Sequence, residues 1–319
     1  FQATHECNFA INTIGVGRFR VSASYQRNLV GMVLRRIEVN IPKVDDLGLP
    51  AVIKDLAMTK RGLIVFVGAT GTGKSTSLAA MIGHRNENST GHIVSIEDPI
   101  EFVHQHRGCV ITQHEVGVDT DSFEVALKNV LRQAPDVIMI GEVRSRETME
   151  SAVTFAETGR LCLCTLHSNN ANQALVRIIH FFPSDRYTQV WMNLSLNLRA
   201  RVAQQLVPTV DGQGRRAAIE VLINTPLASD HIRKGGVHLL KSLMAKSCEQ
   251  GMQTFDHALY KLYAEGEISY DAALQHADSP SDLRLMIKLG ADASPNPLER
   301  VEGLRLEGDP KPSQMTYRR

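Results

Sequence analysis

The stretch at residues 68–76 has the composition and spacing of a phosphate-binding loop. It reads GATGTGKST and fits the pattern G-x-x-x-x-G-K-[ST], in which the backbone N–H groups of a glycine-rich turn surround phosphate oxygens. The lysine of such a loop reaches the β- and γ-phosphates of a nucleoside triphosphate, and the hydroxyl that follows it binds Mg²⁺. The predicted nucleotide-binding residues are Gly68, Thr70, Gly71, Thr72, Gly73, Lys74, Ser75 and Thr76, with Ser75 also assigned to the metal.

Three further apolar runs are each followed by side chains that suit nucleotide chemistry. These are Glu97, Asp98 and Glu101 after the run at 92–96, Glu142 after 137–140, and His167 after 161–166. Strands that are separated by helices pair in parallel, so their C-terminal ends meet at one edge of the sheet. Open α/β sheets bind their ligands at that edge. The sequence therefore predicts one active site there, for ATP with Mg²⁺.

Two carboxylates bracket the apolar run at 137–140, and geometry separates their roles. Asp136 and Glu142 would lie roughly 20 Å apart along an extended strand, because each residue advances the chain by about 3.3 Å. They cannot both reach one metal ion. Glu142 lies at the phosphate end, so we assign it to Mg²⁺, directly or through a water molecule, and we expect Asp136 to act as a cap or to face solvent.

Hydrolysis also needs a group that orients the attacking water. Phosphoryl transfer depends on positioning and charge stabilisation, and a carboxylate suits this task. Glu101 is the candidate, with Glu97 and Asp98 as the alternatives. His167 could contact the γ-phosphate and report its loss, or it could be a core histidine whose ring bonds to the backbone.

The transition state needs additional positive charge, which arginine often supplies. The β-rich N-terminal segment offers Arg18, Arg20, Arg35 and Arg36. Residue type alone favours the interpretation that they are ordinary solvated side chains. Nothing in the sequence places them on their own subunit's phosphates, because a linker separates them from the phosphate loop.

The elements expected around these residues define an α/β fold. An apolar run at 63–67 predicts a buried parallel strand before the phosphate loop, and the residues from 74 onward predict a helix after it. After residue 170 we expect mainly helices, at 170–179, 184–206, 254–264 and 280–289, with a strand at 217–223. The expected division is a partial β-rich domain at 1–41, a linker and short helix at 42–60, an ATPase domain with C-terminal helices at 61–293, and a disordered tail at 294–319.

The composition excludes several classes of protein. The 319 residues carry a formal net charge of +1 and a pI of about 7.9, which is not the basic balance of a nucleic-acid-binding protein. No apolar stretch approaches about 18 residues, so no membrane span is predicted. Residue 1 is Phe, without a signal-peptide pattern, and we expect the natural N-terminus to lie upstream. Five cysteines without metal-binding spacing indicate small buried side chains in a reduced cytosol.

Taken together, the motifs resemble those of the PilT/PilU family of type IV pilus retraction ATPases, within the secretion ATPase superfamily. The similarity extends over residues 5–290. It comprises a Walker A motif at 68–76, an Asp box at 96–102 (IEDPIEF), an atypical Walker B motif at 136–144 (DVIMIGEVR) and a His box core at 165–169 (TLHSN). The resemblance implies a RecA-like ATPase domain joined to a PAS-like N-terminal domain, in a cytoplasmic homohexamer.

The resemblance also implies roles for individual residues. Glu101 matches the family's catalytic glutamate, and Glu142 matches its Walker B glutamate. Arg20 and Arg35 align with arginines that the family inserts into a neighbouring subunit's site. Two other positions depart from the family pattern, which often has His at the position of Arg160 and Arg at that of His114, so the resemblance assigns them no role.

Within the family the chain is more similar to the PilU branch than to the PilT branch. The stretch at 227–233 (LASDHIR) stands where the PilT branch has an Ala-Ile-Arg-containing motif needed for retraction, and 238–244 and the chain beyond 277 are also PilU-like. The predicted function is a hexameric motor that hydrolyses ATP for pilus retraction and twitching motility. It would be an accessory motor at the inner-membrane pilus machine, with a PilT-type ATPase as a partner. Two alternatives stay open: a RecA-like DNA translocase, and a nucleotide-binding ring subunit that does not hydrolyse ATP.

Overall fold

The computed structural model describes residues 1–13, 15–37, 39–168 and 173–292, which form two β-sheets surrounded by helices. The sheet near the N-terminus has three strands, and the larger sheet has seven. The predicted tail at 294–319 lies outside the described residues, as does Asn169 of the His box. In the described ranges, each helix is too short or too polar to cross a bilayer.

The N-terminal sheet is antiparallel and presents a basic face. Its strands, in spatial order, are β1 (Glu6–Thr13), β2 (Gly17–Gln26) and β3 (Leu29–Arg36). The register places Arg20 of β2 opposite Arg35 of β3. Side chains alternate between the two faces of a strand, so Arg18 lies on the same face as this pair. Three of the four candidate arginines therefore point to the same side of the sheet.

The rest of the chain builds the larger sheet and the helices that cover it. The strands are β4 (Gly62–Val67), β5 (Gly91–Glu97), β6 (Cys109–Glu115), β7 (Val137–Ile140), β8 (Leu161–Leu166), β9 (Leu198–Pro208) and β10 (Arg215–Ile223). The helices are α1 (Val52–Ala57), α2 (Lys74–Asn88), α3 (Phe123–Val130), α4 (Arg146–Glu157), α5 (Gln173–His180), α6 (Tyr187–Asn197), α7 (Pro226–Arg233), α8 (Leu240–Lys246), α9 (Phe255–Ala264), α10 (Tyr270–His276) and α11 (Pro280–Asp292). The spatial order is β10-β9-β4-β8-β7-β5-β6, parallel throughout except for β10.

Strand β4 shows why the central strands are apolar along their whole length. Leu63, Val65 and Val67 point into the core on one face of the sheet, and Ile64 and Phe66 point into the core on the other. Helices cover both faces, so neither side of the strand reaches water. This arrangement confirms the predicted α/β class and the parallel pairing of the strands.

The cysteines follow the sequence prediction in part. None of the five is in a disulfide. Cys109, Cys162 and Cys164 are buried, as expected of small apolar side chains. Cys7 is half-buried and Cys248 is exposed, so the prediction is wrong for these two.

The prediction of a helix over 184–206 is wrong in its second half. Helix α6 ends at Asn197, and the chain continues as β9, which lies between β4 and β10. The polar residues of β9 prevent its recognition as a strand from the sequence, because an arginine such as Arg201 is unusual in the middle of a sheet. Arg201 and Glu220 of β10 form an ion pair in which both side chains are 0% exposed. A partner on the neighbouring strand therefore allows the arginine to be buried.

Removal of one partner of this buried ion pair should destabilise the fold strongly. In Glu220→Ala the Arg201 guanidinium stays inside the sheet without the Glu220 carboxylate, and such changes typically cost about 3–5 kcal/mol. The urea midpoint of unfolding, followed by circular dichroism at fixed protein concentration, should fall accordingly. The control is Glu265→Ala, because Glu265 pairs with Lys261 at 3.9 Å on the surface, where a pair contributes at most about 1 kcal/mol. Equal shifts in the two variants would contradict this account.

Candidate nucleotide-binding site

The phosphate loop at 68–76 joins the C-terminal end of β4 to the start of α2. Close packing against β9 requires two of its glycines. Gly73 has a φ of +84°, and a Cβ atom there would lie 2.8 Å from Gln204 Nε2. A Cβ atom on Gly68 would lie 2.6 Å from the Gln204 carbonyl oxygen. Glycine therefore allows the loop to approach β9, and Ser77 Oγ, which donates to Gln204 Oε1 at 2.8 Å, fixes the start of α2 there.

Lys74 is the first residue of α2, and its side chain turns back into the loop. Its Nζ donates to the carbonyl oxygens of Gly68 at 2.9 Å and Ala69 at 2.7 Å, and the residue is 7% exposed. Burial lowers the pKa of Lys74, while the carboxylates of Glu142 and Glu101 act to raise it. The ammonium group thus lies within electrostatic range of both predicted acidic residues.

A cavity of about 590 Å³ opens beside the loop. Most of the predicted site residues line it: Arg35, Thr70, Gly71, Gly73, Lys74, Ser75, Thr76, Glu101, Glu142 and His167. Gly68, Thr72 and Arg20 are the predicted residues that do not. Gly68 and Thr72 instead shape the loop, since Thr72 Oγ1 donates to the Ala69 carbonyl oxygen at 2.9 Å. The ends of β4, β5, β7 and β8 therefore bring their polar residues to one place.

Glu142 lies at the centre of a charged cluster in this cavity. Its Oε1 is 3.2 Å from His167 Nε2, and its Oε2 accepts a hydrogen bond from Arg144 Nε at 2.6 Å. Arg144 also donates to Asp98 Oδ2 at 3.4 Å. Burial and the charge of Lys74 lower the pKa of His167, against the effect of Glu142. Arg144 is a site residue that the sequence reasoning missed.

The two glutamates considered for water orientation have different environments. Glu97 is 7% exposed, and its Oε1 accepts hydrogen bonds from Ser95 Oγ at 2.6 Å and Gln113 Nε2 at 3.1 Å. Burial raises the pKa of Glu97 to about 7, although these bonds and one from the Glu101 backbone N–H oppose the rise. Glu101 is exposed at the cavity, and its carboxylate makes no ion pair within the described ranges. Glu101 can therefore meet a water molecule, whereas Glu97 is held by the protein.

The residues predicted to bind Mg²⁺ are compatible with this ion. Ser75 and Glu142 both line the cavity and supply oxygen atoms, the donor type that Mg²⁺ prefers. In the part of the chain that the structure describes, no three His, Cys, Asp or Glu side chains converge as a metal-binding group. Mg²⁺ commonly keeps water molecules and is held through substrate phosphates, so one or two protein ligands are enough for it.

The N-terminal sheet turns its basic face toward this edge of the larger sheet. Arg35 lines the cavity, and Arg18 Nη2 is 3.7 Å from Glu115 Oε2 at the end of β6. Arg20 lies opposite Arg35 in the register but does not line the cavity. Arg35 thus lies at the cavity of its own chain, and the expectation that Arg20 and Arg35 are inserted into a neighbouring subunit's site stays a prediction. Arg215 of β10 also lines the cavity and was not predicted.

The residues without an assigned role lie away from the cavity. Asp136 Oδ2 accepts a hydrogen bond from the His92 backbone N–H at 2.8 Å, so this carboxylate caps the backbone beside β5, as expected. Arg160 Nε donates to the Pro135 carbonyl oxygen at 3.1 Å, next to the start of β8. His114 is on β6 and, like Asp136 and Arg160, does not line the cavity.

Sequence comparisons find close relatives over most of the chain. The family model described as "Type II/IV secretion system protein" matches residues 17–266. The type IV pilus ATPase PilU of Pseudomonas aeruginosa is 74% identical over 308 residues, which cover 96% of this chain and 81% of that protein. The type IV pilus retraction ATPase PilT of the same organism is 39% identical over 282 residues, which cover 88% of this chain and 82% of that protein.

Solved structures agree with the fold. The crystal structure of the pilus retraction motor PilT with bound ADP has a TM-score of 0.84 and 40% identity, and the match covers 89% of this chain and 81% of that one. The ATPase DotB of Legionella pneumophila has a TM-score of 0.72 and 28% identity, over 84% of this chain and 75% of that one. The chain therefore belongs to the type II/IV secretion system protein family and, within it, to the PilT/PilU type IV pilus ATPases.

Proposed function

We propose that the chain is a motor ATPase that hydrolyses ATP, with Mg²⁺, to power the retraction of type IV pili, in the manner of PilU. The observation that carries the proposal is the single cavity lined by the phosphate loop together with Glu101, Glu142 and His167. The 74% identity to a type IV pilus ATPase supports the pilus as the structure that the motor drives.

Nucleotide binding depends on positive charges and dipoles that the folded chain positions before the nucleotide arrives. The N–H groups of the loop, the N-terminal end of α2 and Lys74 meet the phosphates. Ser75 and Glu142 would hold Mg²⁺, which neutralises charge on the phosphate oxygens when it is bound. Arg144 holds the Glu142 side chain in position through its hydrogen bond to Oε2. Because Lys74 is buried, its attraction for phosphate is weakened little by water.

Hydrolysis uses further side chains at or beside the cavity. Glu101 orients the attacking water, since its carboxylate is exposed at the cavity and makes no ion pair within the described ranges, whereas that of Asp98 pairs with Arg144 at 3.4 Å. Arg35 supplies positive charge from the N-terminal sheet, and Arg20 beside it adds to the same basic face. His167, whose Nε2 lies 3.2 Å from Glu142 Oε1, reports whether the γ-phosphate is present.

The working form that we propose is a homohexamer on the cytoplasmic side of the inner-membrane pilus machine, beside a PilT-type ATPase. Residues 1–41 would form part of a PAS-like domain, 42–60 a linker, and 61–293 a RecA-like domain, with a tail at 294–319. A DNA translocase is disfavoured by the net charge of +1. A ring subunit without hydrolysis is disfavoured because Lys74, Glu101 and Glu142 line one cavity.

The test of the function combines ATP hydrolysis by the purified protein with twitching motility. The wild-type chain should hydrolyse Mg-ATP and restore twitching to cells that lack their own copy. Lys74→Ala should do neither, because it removes the charge that meets the phosphates. Salt-sensitive DNA binding would favour the translocase, and ATP binding without single-turnover hydrolysis would favour the ring subunit.

Glu101→Gln should uncouple nucleotide binding from hydrolysis. The variant keeps the size of the side chain but loses the charge that orients water, so turnover should fall by about 100-fold or more. The affinity for a fluorescent ATP analogue should stay near that of the wild type. Glu97→Gln is the matched variant and should have the smaller effect, since Glu97 is held by Ser95 and Gln113. If Glu97→Gln stops turnover and Glu101→Gln does not, the role belongs to Glu97.

Mixed rings should show whether the arginines act within their own chain. One subunit carries Arg20→Ala and Arg35→Ala, and the other carries Glu101→Gln. Because Arg35 lies at the cavity of its own chain, we expect each site to use the arginines of its own subunit. Each subunit of a mixed ring would then lack either its arginines or its Glu101 carboxylate. Activity should therefore stay as low as in the separate variants. Recovery of activity on mixing would show instead that the arginines serve a neighbouring subunit. Transfer of labelled subunits verifies exchange, and a mixture of wild type with Glu101→Gln is the positive control.

A further inference from the structure

Gln113 lies on β6, the edge strand beside β5, and belongs to none of the nucleotide-binding motifs. Its side-chain amide nevertheless makes three hydrogen bonds to the segment that carries Glu101. Nε2 donates to Glu97 Oε1 at 3.1 Å and to the Phe102 carbonyl oxygen at 2.9 Å. Oε1 accepts from the His104 backbone N–H at 2.9 Å.

These contacts lie on both sides of Glu101 in the chain. Glu97 precedes it, whereas Phe102 and His104 follow it, so one amide ties together both ends of the loop that presents the Glu101 carboxylate. The Glu101 backbone N–H is itself bonded to Glu97 and is therefore linked to Gln113 through that carboxylate as well. Gln113 does not line the cavity, so its effect on the site is indirect.

We propose that Gln113 is a positioning residue for ATP hydrolysis: it fixes the Glu101 loop to the edge of the sheet and thereby sets where the Glu101 carboxylate lies in the cavity. The inference rests on the proposed hydrolytic function of this site. It concerns hydrolysis rather than nucleotide binding, because the phosphate loop is supported from the other side, by β9 and the contact between Ser77 and Gln204.

An amide is the side chain that fits all three contacts. It offers two N–H donors and a carbonyl acceptor in one planar group. A glutamate would still accept from His104 but would direct a second negative charge at Glu97, and a methionine would satisfy none of the three. The pKa of Glu97, which burial raises to about 7, is pulled down by the hydrogen bonds from Ser95 and Gln113. The amide therefore also favours the ionised form of Glu97, which is the better acceptor for the Glu101 N–H.

The test compares Gln113→Met and Gln113→Glu with Gln253→Met. Gln253 is a matched control because it too is partly buried and donates from Nε2 to a backbone carbonyl, that of Ile219 at 2.7 Å, but does not line the cavity. Both Gln113 variants should lose about 10-fold to 100-fold in kcat, the size of effect that small misplacements of catalytic groups produce. The Kd for a fluorescent ATP analogue should change little. Gln253→Met should keep both values.

A double-mutant cycle separates positioning from general damage to the fold. If Gln113 acts through Glu101, adding Gln113→Met to Glu101→Gln should cause little further loss, because the group that is positioned is already gone. A purely structural defect would lower the single-turnover rate by the same factor in both backgrounds. Equal factors would overturn the proposal, and so would wild-type kcat in Gln113→Met.

Amide hydrogen exchange gives a readout that does not depend on activity. In Gln113→Met the His104 N–H loses its acceptor, so peptides that span 99–107 should exchange faster. Gln113→Glu keeps an acceptor there and should show the smaller change. Unchanged exchange in Gln113→Met would overturn the proposal. A wild-type chain that hydrolyses no ATP would instead contradict the proposed function, and the exchange data would still decide whether Gln113 holds the loop.

Discussion

The unshifted parallel register of the central strands is the constraint on which the site depends. β4 pairs with β8 from Gly62 opposite Leu161 to Val67 opposite Leu166, and the pairs of β7 with β8 and with β5 continue the alignment. Because the ends of these strands lie within two residues of the same level, the residues that follow them meet although they are far apart in the chain. A slip by one residue would turn each side chain of a strand to the other face of the sheet. The pairing of the strand backbones therefore decides which side chains can meet at the cavity.

Much of this arrangement could be predicted because the central strands are short apolar runs between well-marked helices, and because the phosphate loop has a fixed spacing. Strand β9 could not be predicted in this way. Its Arg201 is buried only because Glu220 lies beside it on β10, and a partner in space leaves no periodic signal in the sequence. Arg144 and Arg215 were not predicted as site residues for a related reason. Arginine is a common residue, and it is the fold that places these two at the cavity.

For the N-terminal sheet, too, the sequence could not predict which other part of the chain it contacts. Residue type made its arginines candidates, and the alternation along a strand explains why they share a face. Which cavity they reach depends on how the sheet sits against β6, where Arg18 meets Glu115 at 3.7 Å. The Glu115 side chain is 4% exposed, and its Oε2 has no hydrogen-bond partner in the described structure. Since a buried carboxylate oxygen without a hydrogen bond is unfavourable, the arginine is its main compensation, and the ion pair resists separation of the two sheets.

Around the cavity, the requirements of folding and of catalysis oppose each other. Burial disfavours the charged forms of both Lys74 and Glu97, which lowers the pKa of the first and raises that of the second to about 7. Local hydrogen bonds favour the charged form of each group, from Lys74 to the carbonyls of the phosphate loop and to Glu97 from Ser95 and Gln113. Charges and dipoles that are held in place before the substrate arrives need no reorganisation during the reaction. Bound phosphate would also compensate the buried ammonium group, so nucleotide binding should relieve an unfavourable feature of the folded chain and stabilise it.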